Sequence, residues 1–172
     1  MISEDESEGF LIDLDHAIEI NREMNSGAKE RTGTAAFMSI PILDSSINPG
    51  PHSFMDDLES IFWLFFGLCT HLEGPRKMRK NPYDNWNYLP ATQLVAIKMM
   101  IVRDKVHFDS ALQITDYCAP LSSHIKNMWE VVFPQGREWK NEDEELYEQM
   151  INILESAKMD LATKACGEAG GS

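Results

Sequence analysis

Three short segments concentrate the side chains that could do chemistry. They are residues 11–15 (Leu-Ile-Asp-Leu-Asp), 32–34 (Thr-Gly-Thr) and 56–60 (Asp-Asp-Leu-Glu-Ser). Carboxylates are the oxygen ligands that hard cations such as magnesium prefer. Local pattern alone also gives each segment a structural explanation: the first ends a strand, the second forms a turn, and the third places negative charge at the start of a helix.

Histidine and cysteine, the other common metal ligands, are scattered along the chain. The five histidines show no metal-ligand spacing, so surface or helix-cap positions are predicted for them. No Cys-x-x-Cys pair occurs among the three cysteines, which indicates neither a disulfide framework nor a zinc site. Cys69 and Cys118 lie in apolar surroundings and are predicted as small core residues in a reducing compartment.

Length and charge limit the classes of partner. With 172 residues and 43% hydrophobic side chains, the chain can form one domain with a real core. The formal net charge of −13 opposes binding to nucleic acid and to anionic membranes. No signal peptide is visible, and the longest apolar run, residues 61–69, falls well short of the ~20 residues that a membrane span needs. An intracellular protein, cytoplasmic or nuclear, is expected.

The elements that must position these segments are mainly helical. Short strands are predicted at residues 9–12 and 17–20, and a long, almost wholly apolar helix begins at Ser53 and runs to Leu72. Later helices are predicted at residues 91–105, at 108–133 with a start or kink at Pro120, and near the C-terminus. The last has an apolar stripe of Leu146, Met150, Ile153, Leu154, Ala157 and Leu161. The predicted class is mainly α, with one strand pair near the N-terminus, about five helices, and a loop over residues 74–90.

Taken together and in order, the three segments resemble the second half of a fungal-type protein kinase. Residues 11–15 are similar to the magnesium motif Asp-Phe-Gly in its Asp-Phe-Asp form. Residues 31–39 (Arg-Thr-Gly-Thr-Ala-Ala-Phe-Met-Ser) resemble the end of that family's activation segment, and residues 56–60 resemble the start of its central helix. The resemblance implies the helical C-terminal lobe of the kinase fold over residues 1–165, followed by a disordered tail at 166–172.

The resemblance also implies an activity and a set of site residues. Members of the family transfer a phosphoryl group from ATP to serine or threonine of a protein substrate, with magnesium bridging the phosphates. By resemblance, Asp13 is a magnesium ligand and Thr34 lines the substrate site. Gly33 and Asp57 have structural roles, the latter holding the backbone of the catalytic loop. Two further hydroxyls are candidate activation-loop phosphorylation sites: Ser26 and Thr32.

Several family features are absent from these 172 residues. There is no glycine-rich phosphate loop, no ATP-anchoring lysine and no His-Arg-Asp…Asn catalytic loop. Met1 and Ile2 align with the residues that directly follow the catalytic loop in family members. Pro41 replaces the glutamate that closes the activation segment and normally pairs with a buried arginine, so the internal salt bridge of the lobe is not expected in its usual form. Leu14 replaces phenylalanine. The chain alone is therefore expected to lack kinase activity, and its start resembles that of a truncated gene model or an alternative start.

Two consequences and two alternatives follow. In a kinase, helices upstream of this region cover part of the central helix. Here, that face is expected to stay exposed or to bind a protein partner. Each large apolar side chain that stays exposed to water forgoes about 1.5–3 kcal/mol of stabilisation. The first alternative function is a non-catalytic scaffold or regulatory module derived from a kinase. The second is an unrelated helical domain.

Overall fold

Helices make up most of the computed structural model, which describes residues 34–44, 53–134 and 144–169. All of these belong to one compact unit, Thr32–Ser172. The strand pair predicted at residues 9–12 and 17–20 lies outside the described residues. The mainly α class predicted from the sequence is confirmed by the element order.

Six helices and one strand pair follow one another along the described chain. Helix α1 is a single turn, and two short 3₁₀ helices precede α3 and α5. The bounds are α1 Ile40–Leu43, α2 Phe54–His71, β1 Leu72–Gly74, β2 Lys77–Met78, the first 3₁₀ helix Trp86–Tyr88, α3 Ala91–Val102, α4 Lys105–Ala111, the second 3₁₀ helix Ala119–Leu121, α5 Ser122–Val132 and α6 Glu145–Ala169.

The long helix α2 begins where its sequence predicted. Ser53 is the N-cap residue, and its side chain accepts a hydrogen bond from the backbone N–H of Met55. The Asp56 carboxylate accepts a hydrogen bond from the backbone N–H of Ser53 at 3.0 Å, which completes a capping box. Asp56 and Asp57 also place negative charge at the positive end of the helix dipole.

Helix α2 is buried on most of its surface but not all round. Phe62, Trp63 and Phe66 are at most 1% exposed and form the centre of the aromatic core. The opposite stripe is open to solvent: its members, spaced three and four residues apart, are Ile61 at 40%, Leu64 at 45% and Leu68 at 41% exposure. The sequence predicted a helix surrounded by core, with one face in need of a cover. The structure shows which face that is.

The described strand pair lies in a region that the sequence predicted as loop. Strands β1 and β2 pair antiparallel around a turn in which Arg76 adopts a left-handed conformation, with φ of 59°. Arg79 then donates to the backbone carbonyls of Thr70 (3.0 Å) and Gln113, which ties the hairpin to the body of the domain. So short a pair has no detectable alternation of polar and apolar residues, which is why the sequence did not reveal it.

The break after the third helix comes earlier in the chain than predicted. Helix α3 ends at Val102, because Asp104 starts α4 by accepting a hydrogen bond from the backbone N–H of His107 at 2.9 Å. The helix predicted over residues 91–105 therefore ends three residues earlier, and α4 overlaps the start of the helical region predicted over 108–133. Pro120 lies in the 3₁₀ helix that leads directly into α5, which confirms it as a helix start.

The final helix packs with a narrower stripe than predicted. Leu146, Met150 and Ala157 are buried, whereas Leu154 and Leu161 are 38% and 42% exposed. The helix includes residues 166–169, which were predicted as part of a disordered tail. None of the helices in the described part of the chain is both long enough and apolar enough to cross a membrane.

Candidate functional site

The segment 34–43 lies against helices α2 and α3 and contains the described part of the predicted substrate site. Its first residues form tight turns: the N–H of Phe37 donates to the carbonyl of Thr34 at 2.9 Å, and that of Met38 to Ala35 at 3.3 Å. Thr34 is exposed at the start of these turns. The ring of Phe37 lies against α2, since a Cβ added at Gly67 would meet it at 3.5 Å.

Two side chains hold the backbone of this segment from the α3 side. The Asn87 side chain accepts a hydrogen bond from the N–H of Ala36 at 3.0 Å. The Lys98 ammonium, on α3, donates to the carbonyl of Met38 at 2.5 Å. Both contacts join residues more than 50 positions apart, so the turn at Thr34 is fixed by tertiary structure rather than by local sequence.

Two carboxylates hold the next residues from the α2 side. Ser39, which is fully buried, donates its hydroxyl to Asp56 at 2.6 Å and caps α1 by accepting from the N–H of Ile42 at 3.2 Å. The backbone N–H of Ile40 donates to the Glu59 carboxylate at 2.8 Å. The start of α1 and the first turns of α2 are therefore joined through side chains of α2.

Glu59 and Lys98 are the two charged side chains at the centre of this arrangement. Both are 0% exposed. Burial raises the pKa of Glu59 to about 7 from 4.5, opposed by hydrogen bonds from Trp63 and Ile40 and by the positive charge of Lys98. Burial lowers the pKa of Lys98 to about 7 from 10.5, opposed by the negative charge of Glu59.

Aromatic rings complete the surroundings of both groups. The Lys98 ammonium lies 4.6 Å from the ring centre of Trp63 and 5.6 Å from that of Trp86, which compensates part of its lost hydration by cation–π attraction. The indole N–H of Trp63 donates to Oε1 of Glu59 at 2.8 Å. Oε2 of the same carboxylate is buried and has no hydrogen-bond partner among the residues that the structure describes.

Of the predicted site residues, two lie in the described part of the chain. Thr34 is exposed, and Asp57 is exposed in the first turn of α2. The predicted magnesium ligand Asp13, the structural Gly33 and the candidate phosphorylation sites lie outside it and stay predictions: Ser26 and Thr32. Among the residues that the structure describes, no group of three His, Cys, Asp or Glu side chains is arranged to hold a metal ion.

The core positions predicted for two cysteines are confirmed. Cys69 and Cys118 are free and buried, and burial raises the pKa of the Cys69 thiol to about 12, which makes it a poor nucleophile. Trp63, Trp86 and Trp129 are core residues. One histidine departs from the prediction of surface or cap positions.

That histidine is His124 on helix α5. Only 5% of it is exposed, and its ring lies 2.9 Å from the Asp160 carboxylate on α6. An aspartate 36 positions away in the sequence gives no local signal for such a pair. His71, by contrast, is in the last turn of α2, as expected for a residue near a helix end.

Sequence reasoning missed the paired roles of Glu59 and Lys98. Glu59 belongs to the segment 56–60, which the sequence analysis interpreted only as the start of the central helix. Lys98 did carry a signal, because it falls at helical spacing with the apolar residues Leu94 and Ile101, both of which are buried. A lysine inside a buried apolar stripe needs a carbonyl or a carboxylate nearby, and that requirement could have directed attention to it.

The described architecture is that of a mainly helical domain with one small strand pair, consistent with part of the C-terminal lobe of a protein kinase. A model of the fungal protein kinase family matches residues 1–69, a range that contains all three sequence motifs. This match supports the predicted relation to the fungal protein kinase family, over residues 1–69 of the chain. No curated protein and no solved structure matches the chain.

Proposed function

We propose that this chain forms the activation-segment and helical part of a protein kinase that phosphorylates serine or threonine in proteins. The observation that supports this most is the position of segment 34–43, held on the start of the central helix α2 by Asp56 and Glu59. A rigidly held segment beside a central helix can present a protein substrate in one orientation. Phosphoryl transfer depends mainly on such positioning and on charge neutralisation.

Within this proposal, each residue of the chain has a limited task. Thr34, exposed at the start of the held segment, contacts the substrate residue next to the phosphoacceptor. Asp57 supports the backbone of a catalytic loop. Asp13 contributes one carboxylate to a magnesium site, and Mg-ATP, when bound, supplies the transferred phosphoryl group. One carboxylate does not make a complete magnesium site.

Residues 1–172 alone are expected to transfer no phosphoryl group. They contain no His-Arg-Asp…Asn motif to supply a catalytic base and no glycine-rich loop to hold the phosphates of ATP. The measurement is incubation of the chain with radiolabelled Mg-ATP and a mixed protein substrate. The matched control is Asp13→Ala, and equal background label in both chains is the expected result. Label above the Asp13→Ala control would show that the chain is active by itself.

A second candidate function is a non-catalytic scaffold or regulatory module. The observation in its favour is the exposed stripe of Ile61, Leu64 and Leu68 on α2, which offers an apolar surface to a protein partner. The scaffold proposal requires a chain that is folded without the nucleotide lobe. Thermal unfolding of the isolated chain, followed by far- and near-UV circular dichroism, is then expected to be cooperative. A broad, non-cooperative loss of signal would contradict this second candidate.

A further inference from the structure

Four consecutive contacts fix the backbone between Ala36 and Ile40, and two of them involve charged groups that are completely buried. In this chain Pro41, inside α1, brings no charge that could anchor the segment. The anchoring groups come instead from the neighbouring helices: Glu59 of α2 accepts from the N–H of Ile40, and Lys98 of α3 donates to the carbonyl of Met38.

The chemistry of these two contacts is specific to the backbone atoms that they bind. The carbonyl of Met38 needs a donor, and a buried ammonium group supplies one of the stronger kinds of hydrogen bond. The N–H of Ile40 needs an acceptor, and a carboxylate oxygen supplies it. One positive and one negative group at adjacent backbone positions therefore hold the segment in a single register.

Stability alone does not explain a charged pair in this place. A buried pair of opposite charges can often be replaced by apolar side chains of similar volume without loss of stability, because each charge loses its hydration on folding. Apolar replacements cannot bind a backbone N–H or a carbonyl. The feature that only the charged pair provides is the local fixation of Met38 and Ile40.

We propose that Glu59 and Lys98 are a positioning pair that clamps residues 36–40 between α2 and α3 and thereby orients Thr34 at the substrate-side surface. The orientation of Thr34 follows from the turn contacts, since the N–H of Phe37 donates to its carbonyl. Only this last step rests on the proposed function. The clamp itself is a property of the fold and is measurable in the chain as it stands.

The first test is amide-resolved hydrogen exchange by NMR on the full 172-residue chain. In the double variant Glu59→Met/Lys98→Met, the amides of Phe37 and Ile40 are expected to exchange about ten-fold faster, as for the loss of one or two net hydrogen bonds. Amides of α5, which packs against α2, are expected to keep their rates. Unchanged rates at Phe37 and Ile40, or equal acceleration in α5, would overturn the proposal.

Two comparison variants separate the roles of the two side chains. In Glu59→Gln/Lys98→Met, the amide oxygen of glutamine still accepts from the N–H of Ile40, so this amide is expected to stay protected while Phe37 exchanges faster. Lys105→Met removes an exposed lysine whose ammonium lies 3.8 Å from Glu130, and no amide in segment 34–43 is expected to respond. Equal acceleration of Ile40 in both double variants would exclude Glu59 as its anchor.

A spectroscopic signature distinguishes positioning charges from inert core residues. The indole N–H of Trp63 donates to Glu59, so its proton resonance is expected to shift as the carboxyl group titrates, and Trp63→Phe identifies the signal. The indole N–H of Trp129 is buried without a hydrogen-bond partner in the described part of the chain, and serves as the non-responding reference. The titration of the Trp63 signal is expected to disappear in Glu59→Gln/Lys98→Met, because the Lys98 ammonium, 4.6 Å from the Trp63 ring centre, also titrates in this range. Its persistence in that variant would refute the proposal.

The outcome of these tests is separate from that of the phosphoryl-transfer assay. If the exchange and resonance results are as expected but no kinase role exists, the clamp is a structural device of the fold and the proposed function fails alone. If segment 34–43 is unaffected by the double variants, the positioning proposal fails whatever the activity of the chain.

Discussion

Replacement of Lys98 by methionine is expected to lower the free energy of unfolding by up to about 3–5 kcal/mol, because the buried Glu59 carboxyl group loses its compensating charge and must either stay ionised or take up a proton. The carbonyl of Met38 also loses its donor, and the indoles of Trp63 and Trp86 lose the cation above them. The measurement is equilibrium unfolding in urea near neutral pH. Since a domain of this size is typically stable by ~5–15 kcal/mol, so large a loss is easily measured.

The control for this prediction is a variant without either charge. In Glu59→Gln/Lys98→Met the buried carboxylate is removed as well, and stability is expected to return to within about 1 kcal/mol of the original chain. The two single changes are therefore expected to be strongly non-additive, as for groups in one network. A double variant as unstable as Lys98→Met would show that the cost comes from packing rather than from an uncompensated charge.

The same pair gives a pH dependence with a defined sign. The pKa of Glu59 is raised to about 7 from 4.5, so the folded chain binds the extra proton and the stabilisation from this group is lost as pH rises between these values. The pKa of Lys98 is lowered to about 7 from 10.5, so its stabilisation is gained as pH rises from 7 to 10.5. Asp56 is the other charged group that acts on Glu59.

Together, the two effects make the contribution of Glu59 and Lys98 to the unfolding free energy smallest near pH 7. The difference in unfolding free energy between the original chain and Glu59→Gln/Lys98→Met, measured from pH 5 to 9, is therefore expected to have its minimum near neutrality. The comparison cancels the many exposed acids that both chains share. A difference that varies in only one direction across this range would show that one of the two groups keeps its ordinary pKa.

The long helices could be predicted because their signals are local. The capping residues Ser53 and Asp56 predict the start of α2. Leu146 and Met150 begin an apolar stripe at helical spacing, which predicts α6 from its own sequence alone. The division between α3 and α4 depends on one aspartate cap, Asp104, inside an otherwise helical pattern. Such a cap has the same composition as an exposed helical residue, so the sequence predicted the end of α3 three residues too late, at residue 105.

The exposed face of α2 shows a different limit of sequence reasoning. Ile61, Leu64 and Leu68 have the same apolar character as the buried Phe62 and Phe66, which are one or two positions away. Hydrophobicity alone therefore predicted burial on every side. Which side is buried depends on the positions of α1, α5 and the 3₁₀ helix at Trp86, and these are set by contacts between distant parts of the chain.

For the candidate site, the sequence predicted which segments form it but not the contacts between them. Motif order identified the region around Thr34 and the start of α2, and the family match over residues 1–69 agrees with it. The clamp was not predicted, because Lys98 and Met38 are separated by 60 positions and a backbone carbonyl has no sequence signature. A buried lysine indicates that a partner exists without indicating which one.

The aromatic centre of α2 carries the second large prediction. Phe62 is 0% exposed, and its ring centre lies 4.9 Å from that of Phe133 and 5.0 Å from that of Trp63. Phe62→Ala is expected to cost about 3–5 kcal/mol in unfolding free energy, since it removes contacts and leaves a cavity between elements that cannot collapse freely. Urea unfolding, with the same protocol for both chains, measures the loss.

The matched control lies two positions further along the same helix. Leu64 is 45% exposed, so Leu64→Ala removes little buried surface and, because alanine favours helix at least as well as leucine, is expected to change stability by no more than about 0.5 kcal/mol. A large loss at Leu64 together with a small one at Phe62 would mean that the buried and exposed faces of α2 are exchanged. The apolar stripe of Ile61, Leu64 and Leu68 would then be core, and the surface argument for a protein partner would have to be withdrawn.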